Sequence, residues 1–299
     1  MVLTEEGECM KKTNGILILL IIMCLAGFYA YRTMDRLSTD LKAPEITIVD
    51  EMLEVSVTDP KSALLQGVTA RDRADGDVTD SILVEHITLL DIDGTISVGY
   101  AAFDSAGNVA KATRQVKYTD YQRPRFSLDR PMIYTEGSSF DILSTIKASD
   151  VLDGDIQHRI RAAAMGQESI AEVGSHNVQF TVSNSLGDTV SLVFPVDVIE
   201  PNRYDATLTL TDYLIYLPVG SSFVPGNYLK SFNYRNEETD LSKGIPSNFY
   251  LLSGNKVDTS VPGVYPVEYK MIRSIRHETN PQLNQEYTAY SKLIVVVEG

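Results

Sequence analysis

Two short acidic clusters are the residues of this sequence best suited to chemistry. Each places three aspartates within six residues around one glycine, and their members are Asp72, Asp75, Asp77, Asp150, Asp153 and Asp155. Carboxylate oxygens at this density can converge on a hard cation, and calcium prefers such ligands. A tight turn produces the same pattern without a metal, because aspartate side chains accept hydrogen bonds from nearby backbone N–H groups. The spacing is not that of an EF-hand, and both interpretations stay open.

Other chemistry has weaker support in the sequence. Asp104 and Asn108 lie in a predicted hairpin turn and are weaker candidates for the same cation site. The histidines are dispersed, without an i, i+4 pair or a cysteine partner, which argues against zinc. There is no Gly-x-Ser-x-Gly elbow, no His-Glu-x-x-His motif and no phosphate-binding glycine loop. We therefore predict that the chain is not an enzyme and has no cofactor, with calcium the one ion left open.

Tyrosines form the third candidate set. Most of the 16 tyrosines lie in the last third of the chain. Tyrosine is favoured at recognition surfaces, where its ring and its hydroxyl can both make contact. It is also favoured in strands, and Tyr265 and Tyr269 share one face of an alternating run that predicts a core position. Tyrosines outside such patterns are predicted contacts for a protein or glycan partner: Tyr234, Tyr250 and Tyr287.

The N-terminal segment differs from everything after it. Residues 15–31 carry no charged side chain, and a helix of that length measures about 26 Å, just enough to cross a hydrocarbon core. Basic residues flank both ends. We predict a cytoplasmic segment at 1–14, a transmembrane signal anchor at 15–31 and a linker at 32–42. A cleaved signal peptide or a lipoprotein signal needs small residues near the cleavage point, and a buried soluble helix would show an amphipathic pattern; these three stay as alternatives.

Charge and cysteine content limit the partners and the means of stabilisation. The net charge of −14 repels nucleic acid and anionic lipid headgroups, so no nucleic-acid partner is expected. The two cysteines, Cys9 and Cys24, lie within or before the apolar segment. No later domain can therefore hold an internal disulfide, and each must be stabilised by its core.

An internal repeat of about 80 residues organises the chain after residue 42. Ala70–Val78 returns as Ala148–Ile156, and the turn at Asp104–Asn108 returns as Asn184–Asp188. Alternating apolar residues flank these turns, as half-buried strands require. A third, divergent unit keeps Gly-Ser-Ser-Phe at 220–223 but has no Asp-Gly-Asp. These patterns predict domains at 43–119, 120–200 and 201–299, joined by short linkers that favour a stiff row.

The fold class follows from these alternating runs. Short strands with frequent turn signals and no long helical pattern after residue 31 indicate an all-β sandwich. One segment, 157–165, fits either a strand or a helical turn. The prediction is an all-β chain of three tandem Ig-like β-sandwich domains, preceded by one N-terminal transmembrane helix.

Three motifs of the first unit are specific enough to suggest a family. They are Ala-Pro-Glu-Ile-Thr-Ile at 43–48, Ala-x-Asp-x-x-Asp-Gly-Asp-Val-Thr at 70–79 and Gly-Thr-Ile-x-Val-x-Tyr-x-Ala-Phe-Asp-Ser-Ala-Gly-Asn at 94–108. In combination they resemble the bacterial Ig-like domains found in tandem on cell-surface proteins and in some pesticidal crystal toxins. The resemblance is strong over the first unit, clear over the second and partial over the third. It implies a surface-displayed sandwich used for spacing, adhesion or ligand contact.

These observations together predict a function. We expect a single-pass protein of the cell membrane whose three domains lie outside the cell, with the helix as its membrane contact. Two domains would act as spacers, and the tyrosine-rich third domain would contact a protein or glycan. The alternative is a passive scaffold or accessory subunit of a cell-envelope assembly or secretion complex.

Overall fold

The computed structural model describes residues 18–33, 40–89, 91–138, 141–166, 170–254, 256–277, 282 and 284–299. In these ranges an α-helix at residues 18–33 is followed by β-strands and short 3₁₀ helices. The chain divides into two compact units. The first comprises Met1–Leu53, Pro60–Ile87 and Ser97–Val116, and the second comprises Glu54–Asp59, Thr88–Ile96 and Lys117–Gly299.

The helix covers most of the predicted anchor. Residues 15–17 of that anchor, the predicted cytoplasmic segment 1–14 and residues 34–39 of the linker lie outside the described residues. Within the ranges given above, no helix combines the length and the hydropathy needed to cross a membrane. The described part of the predicted anchor, residues 18–31, therefore does not meet this requirement by itself.

The remaining elements form three pairs of sheets with one topology. The strands of the first pair are β1 Glu45–Ile48, β2 Met52–Val55, β3 Val68–Asp72, β4 Gly76–Asp77, β5 Leu83–Leu89, β6 Thr95–Phe103 and β7 Val109–Tyr118. One sheet has the order β1-β3-β4, and the other has the order β2-β7-β6-β5. The second strand of the hairpin β6–β7 returns after the turn at 104–108, as the alternating runs predict.

The second sandwich repeats this order. Its strands are β8 Arg125–Leu128, β9 Ile133–Thr135, β10 Ile146–Asp150, β11 Gly154–Asp155, β12 Arg161–Ala164, β13 Gly174–Ser183 and β14 Thr189–Ile199. The sheets are β8-β10-β11 and β9-β14-β13-β12, with β9 parallel to β14. The ambiguous segment at 157–165 contains both expected structures, a 3₁₀ helix at Gln157–Arg159 and then strand β12.

The third sandwich has the same topology despite its divergent sequence. Its strands are β15 Thr207–Leu210, β16 Leu214–Pro218, β17 Leu229–Tyr234, β18 Glu237–Asp240, β19 Phe249–Gly254, β20 Gly263–Ile275 and β21 Gln285–Glu298. They pair as β15-β17-β18 and β16-β21-β20-β19, with β16 parallel to β21. The prediction of an all-β chain of tandem sandwiches is confirmed. The exact domain boundaries stay a prediction.

Strand β21 contributes to two hydrophobic cores. Leu293, Val295 and Val297 lie in the core of the third sandwich. Ile294 and Val296 point to the opposite face, because side chains alternate along a strand, and they belong to the core of the second sandwich. Burial on both faces explains why this strand reads as a continuous apolar run rather than an alternating one.

Polar contacts reinforce this junction between the second and third sandwiches. The backbone N–H of Phe126 donates to the Tyr216 hydroxyl at 2.9 Å, and burial raises the pKa of Tyr216 to about 12. The Lys292 ammonium forms an ion pair with Asp197, and both side chains are buried. The Tyr290 hydroxyl donates to the same carboxylate at 3.0 Å. The two sandwiches therefore share apolar and charged contacts across one junction.

The buried ion pair gives a first test of this junction. We expect Lys292→Met to lower the free energy of unfolding by about 3–5 kcal/mol, because it leaves the Asp197 carboxylate buried without its cation. The double variant Asp197→Asn/Lys292→Met should recover most of this loss, since asparagine is neutral and still accepts from Tyr290. Denaturant unfolding followed by circular dichroism measures both. A single variant as stable as the wild type would mean that the pair is solvated in solution.

Candidate cation and recognition sites

Asp72 ends strand β3 and caps the turn that follows. Its Oδ1 accepts hydrogen bonds from the backbone N–H groups of Ala74 at 2.6 Å and Asp75 at 3.0 Å. Gly76 has φ +78°, which glycine adopts without steric cost, and it leads the chain into β4. The N–H groups of Asp75 and then Ala74 lower the pKa of the Asp72 carboxyl. One oxygen of Asp72 is therefore fully used in forming the turn.

The other two aspartates of the first cluster act separately. The Asp75 carboxylate accepts from the backbone N–H and the hydroxyl of Ser105, at 2.7 and 2.8 Å. Asp77 Oδ1 accepts from the backbone N–H of Thr79 at 3.0 Å, at the start of a 3₁₀ helix. In the described ranges, the acidic group close enough to share a cation contains Asp72 but neither Asp75 nor Asp77.

The second cluster repeats these contacts one by one. Asp150 Oδ1 accepts from the N–H groups of Leu152 and Asp153, at 2.8 and 3.1 Å. Asp153 accepts from the N–H of Ser185 at 2.6 Å and pairs with Arg159 at 2.7 Å. Asp155 accepts from the N–H of Gln157 at 2.9 Å. In both repeats the first and third aspartates therefore cap turns, and the second one contacts a serine of the β6–β7 or β13–β14 turn.

The structure brings together a different acidic group. Oxygens of Asp40, Asp72 and Asp104 all lie within 4.8 Å of one another. Asp104 follows β6, and its Oδ1 accepts from the backbone N–H of Asn108 at 2.7 Å. The Asn108 side-chain amide donates to Asp104 Oδ2 at 2.7 Å and to the carbonyls of Asp40 and Lys42. Asp40 lies in the predicted linker, where nothing in the local sequence distinguishes it from any surface aspartate.

The corresponding group of the second sandwich is neutralised by its own side chains. Asn184 replaces Asp104, and its amide donates to Asp150 Oδ2 at 3.2 Å and to the Tyr121 hydroxyl at 2.8 Å. Asp188 replaces Asn108 and is buried. It pairs with Arg123 at 2.7 Å and accepts from the Tyr121 hydroxyl at 2.8 Å. Burial and this contact raise the pKa of Tyr121.

The predicted partner tyrosines have very different surroundings. Tyr234 is buried, and its ring stacks on that of Tyr287 with centroids 3.7 Å apart. Tyr250 is 47% exposed on β19. Tyr269 is fully buried as predicted, and its hydroxyl donates to the Pro225 carbonyl at 3.0 Å. Tyr250 is thus the member of the predicted set with an exposed ring.

Tyr250 lines a cavity of about 510 Å³ on the third sandwich, with Ser247, Asn248, Arg273, Ser274, Ile275 and Arg276. The Arg273 guanidinium pairs with Glu237 at 3.3 Å and lies 5.8 Å from the centroid of the Phe249 ring. Its Nε is buried without a hydrogen-bond partner. The wall therefore combines an aromatic ring, two guanidinium groups and hydroxyls, which suits a polar ligand.

Comparison with known proteins gives only partial likeness. No family model matches the chain. A protein of Acholeplasma phage L2, described as an uncharacterized 81.3 kDa protein, is 31% identical over 120 residues. That match covers 40% of this chain and 16% of the phage protein, so the chain spans about one sixth of its relative's length.

The solved structures that resemble the chain are distant. Drosophila N-cadherin EC1-3 is 11% identical, with a TM-score of 0.28 over 83% of this chain and 97% of that one. A Clostridium perfringens ZmpB structure, containing CBM51-2 with GlcNAc and INT domains, is 17% identical with a TM-score of 0.22. It covers 56% of this chain and 32% of the other. At these identities and TM-scores the neighbours support no argument about the fold, which is described by the strand order of the sheets given above.

The Arg123–Asp188 pair provides a second test. We expect Arg123→Met to destabilise the chain by about 3 kcal/mol, because Asp188 loses its cation while buried. The value is at the lower end of the range for buried pairs, since Arg123 is 42% exposed and Tyr121 still donates. Arg203→Met is the matched control, because its exposed pair with Glu200 should contribute about 0–1 kcal/mol. Equal effects in the two variants, measured by denaturant unfolding, would contradict the assignment.

Proposed function

We propose that this chain is a non-catalytic, membrane-anchored recognition protein of the bacterial Ig-like type, which presents a contact surface on its third sandwich outside the cell. The observation that carries this proposal is the strand β21, which is buried in the cores of both the second and the third sandwich. A shared core resists bending, so a ligand bound to the third sandwich is held at a fixed position relative to the second. A flexible tether would not need such a junction.

The recognition surface of this proposal is the cavity beside Tyr250. Tyrosine and arginine are among the residues that dominate binding energy at interfaces, and Tyr250 lies beside Arg273 and Arg276. Leu252, on the same outward face of β19, adds exposed apolar area. The chain has a net charge of −14, so these two guanidinium groups place positive charge on an otherwise acidic protein. A protein or glycan that offers carboxylate or hydroxyl groups suits this surface.

The N-terminal helix supports the membrane part of the proposal. Its large apolar side chains are 51–73% exposed, and they are Ile18, Leu19, Leu20, Ile21, Ile22, Met23, Leu25, Phe28, Tyr29 and Tyr31. A contiguous apolar surface of this kind is unfavourable in water and normally marks contact with a membrane or a protein. We assign it to the membrane, with the sandwiches on the outer side.

The non-catalytic role is supported by how the acidic residues are used. General acid–base chemistry needs a carboxyl group free to exchange a proton with a substrate. Four aspartates of the acidic clusters are instead bonded to backbone N–H groups of their own turns, namely Asp72, Asp77, Asp150 and Asp155. The other two, Asp75 and Asp153, accept from Ser105 and Ser185.

Recognition through the third sandwich is tested on the full chain reconstituted in lipid vesicles. We expect Tyr250→Ala, alone and with Arg276→Ala, to weaken binding to cells, purified wall or matrix proteins at least tenfold, the loss typical of a contact that dominates an interface. Leu83→Ala is the control, because Leu83 is similarly exposed, at 53%, on β5. Deletion of the third sandwich is a poorer test, since it would remove Ile294 and Val296 from the second core.

Two outcomes would contradict this proposal. Equal binding by wild type and by the Tyr250→Ala/Arg276→Ala variant would place the contact elsewhere. A wild-type chain that binds none of these targets but co-purifies with membrane proteins would favour the scaffold of a cell-envelope complex.

Membrane anchorage has its own test. We expect the wild-type chain to remain in membranes after alkaline extraction, and Ile21→Glu/Leu25→Glu to be released, because each charge in the apolar interior costs about 2.5–3.5 kcal/mol on insertion scales. Val49→Glu places the same charge at an exposed site after the helix and should have no effect. Release of the wild-type chain by alkali would overturn the anchor.

A further inference from the structure

Three carboxylates from separate segments meet in the first compact unit. Asp40 precedes β1, Asp72 ends β3 and Asp104 follows β6. Their oxygens lie within 4.8 Å of one another. Asp72 is 6% exposed and Asp104 is 8% exposed. Like charges this close and this buried repel one another strongly, so the arrangement requires compensation.

Two oxygens of the group have no hydrogen-bond donor. Asp40 Oδ1 accepts from the Lys42 N–H, and Asp72 Oδ1 accepts from Ala74 and Asp75. Asp40 Oδ2 and Asp72 Oδ2 are buried and unpartnered. A buried carboxylate oxygen without a partner is costly and rare. Capping of the turn thus accounts for one oxygen of Asp72 and leaves the other unexplained.

The second sandwich has a side-chain hydrogen-bond donor that the first sandwich lacks. There, Asp150 Oδ2 receives the side-chain N–H of Asn184. The first sandwich has Asp104 at the position of Asn184, and an ionised aspartate has no N–H to donate. The second sandwich also supplies Arg123 as a counter-charge for Asp188. In the described part of the chain, no ion pair reaches Asp40, Asp72 or Asp104.

We propose that Asp40, Asp72 and Asp104 bind one calcium ion. Three carboxylates form the hard, anionic oxygen set that calcium prefers, and two calcium–oxygen bonds of about 2.3–2.6 Å can bridge oxygens 4.8 Å apart. Calcium tolerates the irregular geometry that three unrelated segments provide, whereas magnesium demands a near-ideal octahedron. Water completes the coordination shell. Of the aspartates singled out by the sequence clusters, only Asp72 is a ligand.

The ion has a structural consequence for the start of the first sandwich. Asp40 lies between the N-terminal helix and β1, and Asn108 already donates to the carbonyls of Asp40 and Lys42. A calcium ion bound by Asp40, Asp72 and Asp104 fastens this segment to the ends of β3 and β6. Calcium then controls how firmly the first sandwich is held to the chain that precedes it. This role is independent of the recognition surface around Tyr250.

The test is calorimetric titration of the chelator-treated full chain with calcium and, separately, with magnesium. We expect one calcium per chain with a dissociation constant on the order of 10⁻⁴ to 10⁻³ M, the range of extracellular calcium modules. Asp104→Asn and Asp72→Asn should abolish binding. Asp104→Asn introduces the residue type found at the equivalent position of the second sandwich, Asn184. Asp77→Asn is the matched control, because Asp77 only caps Thr79, and it should bind as the wild type does.

Thermal unfolding separates loss of the ion from loss of the fold. In chelator, Asp104→Asn should still unfold cooperatively at a temperature close to that of the wild type. It removes one negative charge and can donate to Asp72, which offsets the loss of the bond that the Asn108 amide donates to Asp104 Oδ2. Added calcium should raise the melting temperature of the wild type and of Asp77→Asn but not that of Asp104→Asn. Absence of saturable calcium binding in the wild type, unchanged binding in Asp104→Asn, or preference for magnesium would each overturn the proposal.

Discussion

The structure of the second compact unit depends on one constraint, the burial of strand β21 on both faces. Its odd-numbered residues, such as Val295, pack in the third sandwich, and its even-numbered residues, such as Ile294, pack in the second. A strand of a two-layer sandwich normally needs only one apolar face, and its other face meets water. Here the second face would expose apolar area if the second sandwich were absent. The two sandwiches therefore depend on each other for stability.

This constraint also determines the polar residues of the junction. Lys292 continues the even-numbered face of β21 and is nearly inaccessible to solvent, so it requires the Asp197 carboxylate that it contacts. The hydroxyl of Tyr216, on the neighbouring parallel strand β16, accepts a hydrogen bond from the N–H of Phe126, the second residue of β8. Asp197 contacts Lys292 and Tyr290, and Tyr216 contacts Phe126, so these polar groups have a partner from the other sandwich. Small modules without disulfides gain stability from such contacts, because their own cores are small.

Much of the fold could be predicted from the sequence, because strand alternation and turn residues are local signals. The repeat that relates Asp72 to Asp150 predicted equivalent turns, and both form with the same hydrogen bonds. The residues of the acidic site were harder to predict from the sequence. Asp40 meets the other two carboxylates only because β3 and β6 end at the same end of the sandwich. Asp40 and Asp72 are 32 positions apart in the sequence, and no local pattern predicts their contact. The stacking of Tyr234 on Tyr287 is likewise a tertiary contact, which placed a predicted surface residue in the core.

The third sandwich shows which part of the acidic turn the fold requires. Its hairpin β17–β18 is topologically equivalent to β10–β11, but it is closed by Arg235 and Asn236 with φ of 50° and 67°. Positive φ at both central residues is the geometry of a two-residue type I′ turn. The Arg235 guanidinium lies 5.1 Å from the centroid of the Tyr234 ring, a favourable contact that offsets part of the cost of this conformation. A hairpin of this topology therefore forms without an aspartate cap, so the fold alone does not require the carboxylate of Asp72 or of Asp150 at this turn.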